Sequence, residues 1–172
     1  MSGRALVAYA TKHGTTGEIA RVVAERLVER GLDVDVLPAR DVRDVTPYRV
    51  VVLGSAVYMN RWQGDGLDFL KRFEHDLADR PVWLFSSGPT GGTPDADAAV
   101  ARTLEAQPPA PGEASRLGYR IGVRGHATFG GRIVESMGGI FERWMPRGDW
   151  RDPAAIVAWA DLIAAEALAT AG

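Results

Sequence analysis

The sequence predicts an α/β protein, a three-layer sandwich with a parallel sheet between two layers of helices. Short apolar runs recur at intervals along the chain, and the stretches between them repeat their apolar residues at helical spacing. Three of the first four runs are also nearly continuous in apolar character. Such runs suit parallel strands covered on both faces, whereas a half-exposed antiparallel strand alternates. Strands and helices in alternation build a sheet covered on both sides.

The first strand is expected at residues 5–10 (ALVAYA). Ile19, Val22, Val23, Leu27 and Val28 then keep a helical period until Gly31 stops it. A second strand follows at 34–37 (VDVL) and a third at 50–56 (VVVLGSA). Leu67, Leu70, Phe73 and Leu77 fall on one face of a helix that ends before Pro81, and 82–85 (VWLF) is the fourth strand. A further helix is expected from 94 to about 105, then a loop through the proline-rich stretch 107–112. The fifth strand belongs at 126–133 (HATFGGRI), weakened inside by Gly130 and Gly131. The last helix runs from Pro153 to about Ala169 with Asp152 as its N-cap and Ile156, Ala160, Ile163 and Ala164 on one face. All 172 residues fit a single domain.

Composition narrows the chemistry. Apolar residues at 46% and a formal net charge of -2 describe a globular chain without the basic excess that nucleic-acid binding requires. There is no cysteine, so disulfides, thiolate nucleophiles, iron–sulfur clusters and cysteine-ligated zinc are excluded, and redox chemistry needs a borrowed cofactor. The three histidines, His13, His75 and His126, show no metal-binding spacing, so no metal site is expected. His75 sits on a charged helix face and reads as solvated, and His126 as a capping or packing residue. No leader-like segment and no apolar stretch of about 20 residues occurs, which makes a cytoplasmic location the expectation.

In folds of this class ligands sit at the carboxyl ends of the strands, so the loops after strands one, three and four are the ones to examine. The first, Thr11 to Glu18, brings three hydroxyls, two glycines and a run of backbone N–H groups to a helix start. Orphan N–H groups and the positive end of the helix dipole form an anion site there. GxxxxGK followed by Ser or Thr is absent, as is GxGxxG, so neither a triphosphatase nor a dinucleotide site is supported. A hydroxyl-rich loop without a lysine clamp suits a phosphomonoester dianion. A threonine-rich strand-to-helix turn with no ligand is the alternative.

The segment from Tyr9 to Ala20 resembles the FMN phosphate loop of the flavodoxin family, whose pattern is Ser/Thr-x-Ser/Thr-Gly-x-Thr. Thr11, Gly14 and Thr16 fall on that pattern, while His13 replaces the middle hydroxyl residue. The resemblance implies a five-stranded flavodoxin-like sheet in the order 2-1-3-4-5, FMN as cofactor, and a phosphate site made by Thr11, Lys12, His13, Gly14, Thr15 and Thr16. It further implies that the loop bearing Ala56, Val57, Tyr58 and Trp62 meets the flavin ring, with Tyr58 or Trp62 stacked on it. Ser86, Ser87, Gly88 and Pro89 would line the ring edge. No residue is assigned as general acid or base.

The carboxyl-terminal third, through Gly125 to Ile133 and Gly148 to Asp152, is similar to menaquinone-dependent protoporphyrinogen IX dehydrogenases. That likeness implies an FMN-dependent oxidoreductase passing electrons from a porphyrinogen to a quinone. An electron shuttle and a binding module that has lost FMN are the other readings. Shuttle flavodoxins are typically strongly acidic, and a charge of -2 argues against that role. Between the two segments, Ile133, Met137, Ile140, Phe141, Trp144 and Met145 fall on one helical stripe. Core packing, a homodimer contact, or an apolar rim over a large planar substrate or against a membrane surface would each explain it.

Overall fold

The computed structural model describes residues 4–12, 14–88, 110–130, 132–133, 148–149 and 153–170. Five strands form its parallel sheet: β1 (Arg4–Ala10), β2 (Asp33–Pro38), β3 (Val50–Tyr58), β5 (Val82–Gly88) and β6 (Gly125–Gly130). Their spatial order is β2-β1-β3-β5-β6, so the five parallel strands follow the expected 2-1-3-4-5 arrangement. A two-residue strand, β4 (Arg61–Trp62), folds back antiparallel on β3. Arg132–Ile133 (β7) and Gly148–Asp149 (β8) pair with each other outside this sheet.

Each central strand sends alternate side chains into two cores, as the period of two demands. Ala5 and Val7, Val50 and Val52, and Trp83 and Phe85 pack under α1 (Thr15–Glu29) and the last helix, α5 (Pro153–Ala169). Leu6 and Ala8, Val51 and Leu53, and Val82 and Leu84 pack on the opposite face. There they meet α2 (Gly64–Arg72), α3 (Glu74–Ala78) and α4 (Glu113–Ile121). β2 is an edge strand, half-buried through most of its length, and Pro38 is its last residue, a position at which proline is tolerated.

Among these elements the structure departs from expectation at a helix in the middle of the chain, at α4 and at the fifth strand. The helix expected through Leu67 and Leu77 is two helices, divided at Phe73 (φ -109°, ψ 15°). α4 had no counterpart in the sequence reading, although Ala114, Leu117, Gly118 and Ile121 are its buried stripe. Gly118 hid it: a Cβ there would stand 3.2 Å from Val123 and 3.3 Å from Leu84, so close packing demands a residue of poor helix propensity. Gly122, at φ 78°, then ends α4 with its N–H and that of Val123 on the Gly118 carbonyl. The fifth strand stops at Gly130, and Ile133 lies in β7, so the expected strand is divided at its glycine pair and Ile133 is not the start of a helical stripe. The helix expected at 94–105 and the rest of that stripe lie outside the described residues.

Candidate functional site

Three loops meet at the carboxyl edge of the sheet. In the first, the Thr11 hydroxyl accepts the Gly14 N–H at 2.8 Å, closing a tight turn before α1. Gly14 takes φ +90°, a left-handed conformation suited to glycine, and no side chain caps the helix. The first backbone bond of the helix is from Glu18 N–H to Gly14 C=O at 3.1 Å. The N–H groups of Thr15, Thr16 and Gly17 therefore precede the ladder, at the positive end of a 15-residue helix. A Cβ on Gly17 would come 3.0 Å from the Tyr9 ring, so glycine lets the helix start settle against β1. Thr16 is fully buried, and its hydroxyl lies 3.0 Å from the Ser87 hydroxyl. That contact ties the first loop to the end of β5. Lys12 lies on the rim of the loop, and His13 falls outside the described residues.

The second loop is a hairpin unseen in the sequence. Met59 (φ 49°) and Asn60 (φ 59°) form its two-residue turn, both left-handed as such hairpins require. Val57 pairs with Trp62 and Tyr58 with Arg61 across it. Ala56, Val57 and Tyr58 are half-buried. The two aromatic candidates part company here. Trp62 is buried in the core on the α2 face, and its indole N–H donates to Ser86 Oγ at 2.8 Å. Tyr58 stays at the surface, with the Lys12 ammonium 4.7 Å from its ring centroid.

At the end of β5, neighbouring serines serve opposite faces of the sheet. Ser87 meets Thr16, while Ser86 Oγ lies 2.7 Å from His126 Nε2 as well as accepting the Trp62 indole. His126 is thus a packing residue with a polar duty, and His75 is exposed. Gly88 borders Val57, and Pro89 falls outside the described residues. Sequence reasoning missed Ser55, whose hydroxyl accepts the Gln63 N–H at 3.0 Å and donates to the Ala56 carbonyl at 3.0 Å. A hydroxyl inside an otherwise apolar strand was the available signal. Among the described residues no cluster of His, Asp and Glu could hold a metal ion, and no helix is long and apolar enough to cross a membrane.

The family model for the flavodoxin domain matches residues 6–147. The chain belongs to the flavodoxin domain family. A search of curated proteins by sequence gives no significant match. Among solved structures, a flavodoxin from the Archaea is similar at TM-score 0.62 and 14% identity, over 96% of this chain and 99% of that one. The flavodoxin of Streptococcus pneumoniae TIGR4 is similar at TM-score 0.58 and 20% identity, over 95% and 99%. Rubredoxin oxygen:oxidoreductase from Desulfovibrio gigas is similar at TM-score 0.64 and 13% identity, over 99% of this flavodoxin domain but only 37% of that protein.

Membership in the family implies FMN as the cofactor. The donors present fit its phosphate. They are neutral hydroxyls and first-turn N–H groups, gathered at a left-handed glycine and backed by the buried Thr16–Ser87 pair. Tyr58 offers the aromatic face beside them.

Proposed function

We propose that this chain is an FMN-dependent oxidoreductase that takes electrons from a porphyrinogen-type substrate and hands them to a quinone-type acceptor. The observation that carries the FMN reading is the Thr16–Ser87 contact, which locks the phosphate loop onto the strand end that would line the ring edge. Thr11, Thr15 and Thr16 with the first-turn N–H groups would hold the phosphate, Tyr58 would pack on the ring, and Ser86, Ser87 and Gly88 would border it. Bound FMN supplies the hydride or electron chemistry. With no cysteine in the chain, no thiol relay shares that task. The protein's part is to fix the cofactor and shape access to it. The porphyrinogen and quinone assignments are supported by the likeness of the carboxyl-terminal third and by a charge too near neutrality for an acidic shuttle.

A shuttle is the second reading, favoured by one fact: the match to each of two solved flavodoxins extends over 99% of that flavodoxin's length. Two experiments decide. FMN titration followed by flavin fluorescence should show tight binding, and Thr16→Val should weaken it about tenfold, the effect of one lost hydrogen bond to a charged group. Absence of binding would refute every redox reading. Oxidation of protoporphyrinogen with a menaquinone analogue then separates the enzyme from the shuttle, which would instead accept electrons rapidly from a ferredoxin-type reductase.

A further inference from the structure

Three side-chain contacts join the loops of the candidate site in pairs. Thr16 and Ser87 tie the first loop to the third through hydroxyls 3.0 Å apart, and Trp62 ties the second to the third through its indole N–H on Ser86 Oγ at 2.8 Å. Both are buried hydrogen bonds. The first and second loops meet through Lys12, whose Nζ stands 4.7 Å from the Tyr58 ring centroid, inside cation–π reach. This third contact falls on a side chain that the core does not fix. Val57 and Trp62 oppose each other across the hairpin, and Trp62 is buried, so the next pair, Tyr58 and Arg61, projects to the other face. Tyr58 is half-buried and packs into neither apolar core. The backbone beneath it is held, because Gln63 N–H donates to Ser55 Oγ at 3.0 Å and Trp62 anchors the base of the hairpin on Ser86. What is left to set is the orientation of the ring itself, and the Lys12 ammonium lies over one of its faces.

We propose that Lys12 is a positioning residue: it holds the Tyr58 ring from one face, so that the flavin stacks on the other and the first two loops close on FMN as one unit. The proposal rests on the FMN reading and gives Lys12 a task at the ring, by way of Tyr58, that its place in the phosphate loop would not suggest. A lysine acting on the phosphate alone would change affinity and leave the ring contact as it was.

The test compares the wild type with Lys12→Met, Lys12→Arg, Tyr58→Leu and the double variant of Lys12→Met with Tyr58→Leu, each titrated with FMN and then held at saturation. A stacked phenol quenches flavin emission, so the emission of bound FMN at saturation reports the ring contact whatever the affinity. Tyr58→Leu should raise that emission, and Lys12→Met should raise it by a smaller factor. Lys12→Arg, which keeps a cation able to lie on the ring, should return it to the wild-type level. Affinity for FMN should fall about threefold in Lys12→Met, the range of an exposed cation–π pair, and the same substitution should cost less in the Tyr58→Leu chain. An emission that Lys12→Met leaves unchanged, or raises equally in the Tyr58→Leu chain, would overturn the proposal while leaving FMN binding intact. So would a Tyr58→Leu chain whose bound FMN emits as in the wild type, since Lys12 would then have no ring contact to act through. Failure of the FMN reading itself appears earlier, as a blank titration.

Discussion

On one face of the sheet, α1 and α5 cover Trp83, Phe85 and Phe129 with two long helices and an almost wholly apolar contact. On the other, three short helices and a hairpin cover Val51, Leu53 and Leu84, and polar groups are drawn inside. Ser55, Ser86 and His126 are buried there, and guanidinium groups finish the loops: Arg72 donates to the carbonyls of Ala39 and Val42, and Arg80 to those of Asp76, Val45 and Tyr48. Two buried tryptophans express the contrast. The indole N–H of Trp62 has Ser86, whereas that of Trp159 has no partner among the described residues. Long helices satisfy their own backbone and need only apolar side chains against the sheet. Short pieces leave loop carbonyls and N–H groups near the core, and side chains must meet them. The loops of the candidate site draw on both solutions, the Thr11–Gly14 turn from the α1 face and the Met59–Asn60 hairpin from the polar one.

The apolar face should break hardest. A Cβ on Gly54 would stand 1.9 Å from Phe85 Cζ, in a strand interior with no room to move. Gly54→Ala is expected to cost about 3 kcal/mol, the upper end of ordinary overpacking, measured as a lowered urea midpoint. Trimming Phe85 to Leu in the same chain should recover part of that loss. If it does not, the strain lies in the backbone and not in the ring contact.

A smaller loss is expected on the polar face. Ser86→Ala removes the acceptor of the Trp62 indole and the partner of His126, at a cost of about 2 kcal/mol for groups left buried without it. Ser86→Thr keeps the hydroxyl and should restore most of it. Since Trp62 anchors the hairpin that carries Tyr58, Ser86→Ala should also weaken FMN binding, and the same titration reads that effect.

The same contrast decides what was legible in the sequence. α1 and α5 repeat their apolar residues over four or more turns, and β1, β3 and β5 are apolar runs, so the face they build is written locally. Thr11, Gly14 and Thr16 are legible for the same reason, lying within six residues of one another. The Trp62–Ser86–His126 contact joins residues 24 and 40 positions apart, and no local pattern encodes it. The hairpin was hidden because Met59-Asn60 lacks the glycine that marks such turns, and α4 because its buried stripe includes Gly118.

The weakest test concerns the rim of the apolar face. Arg26 grips Asp161 through two hydrogen bonds, at 2.7 and 3.1 Å, and Arg30 adds a third at 2.9 Å, joining α1 to α5. The Arg26 hydrogen bonds, ahead of those from Arg30, lower the Asp161 carboxyl from 3.8 to about 2. A carboxyl more acidic in the folded than in the unfolded chain stabilises the fold fully above its unfolded value, and that contribution fades as pH falls towards 2. Asp161→Asn should therefore lower stability at pH 7 by less than about 1 kcal/mol, as expected of a pair open to solvent. The gap between variant and wild type in urea midpoint should narrow from pH 4 downwards, and 0.5 M salt at pH 7 should shrink it too. A gap that ignores both pH and salt would mean that Asp161 acts through packing. FMN affinity should not change, because the pair lies at the far end of α1 from Gly14 and Thr16.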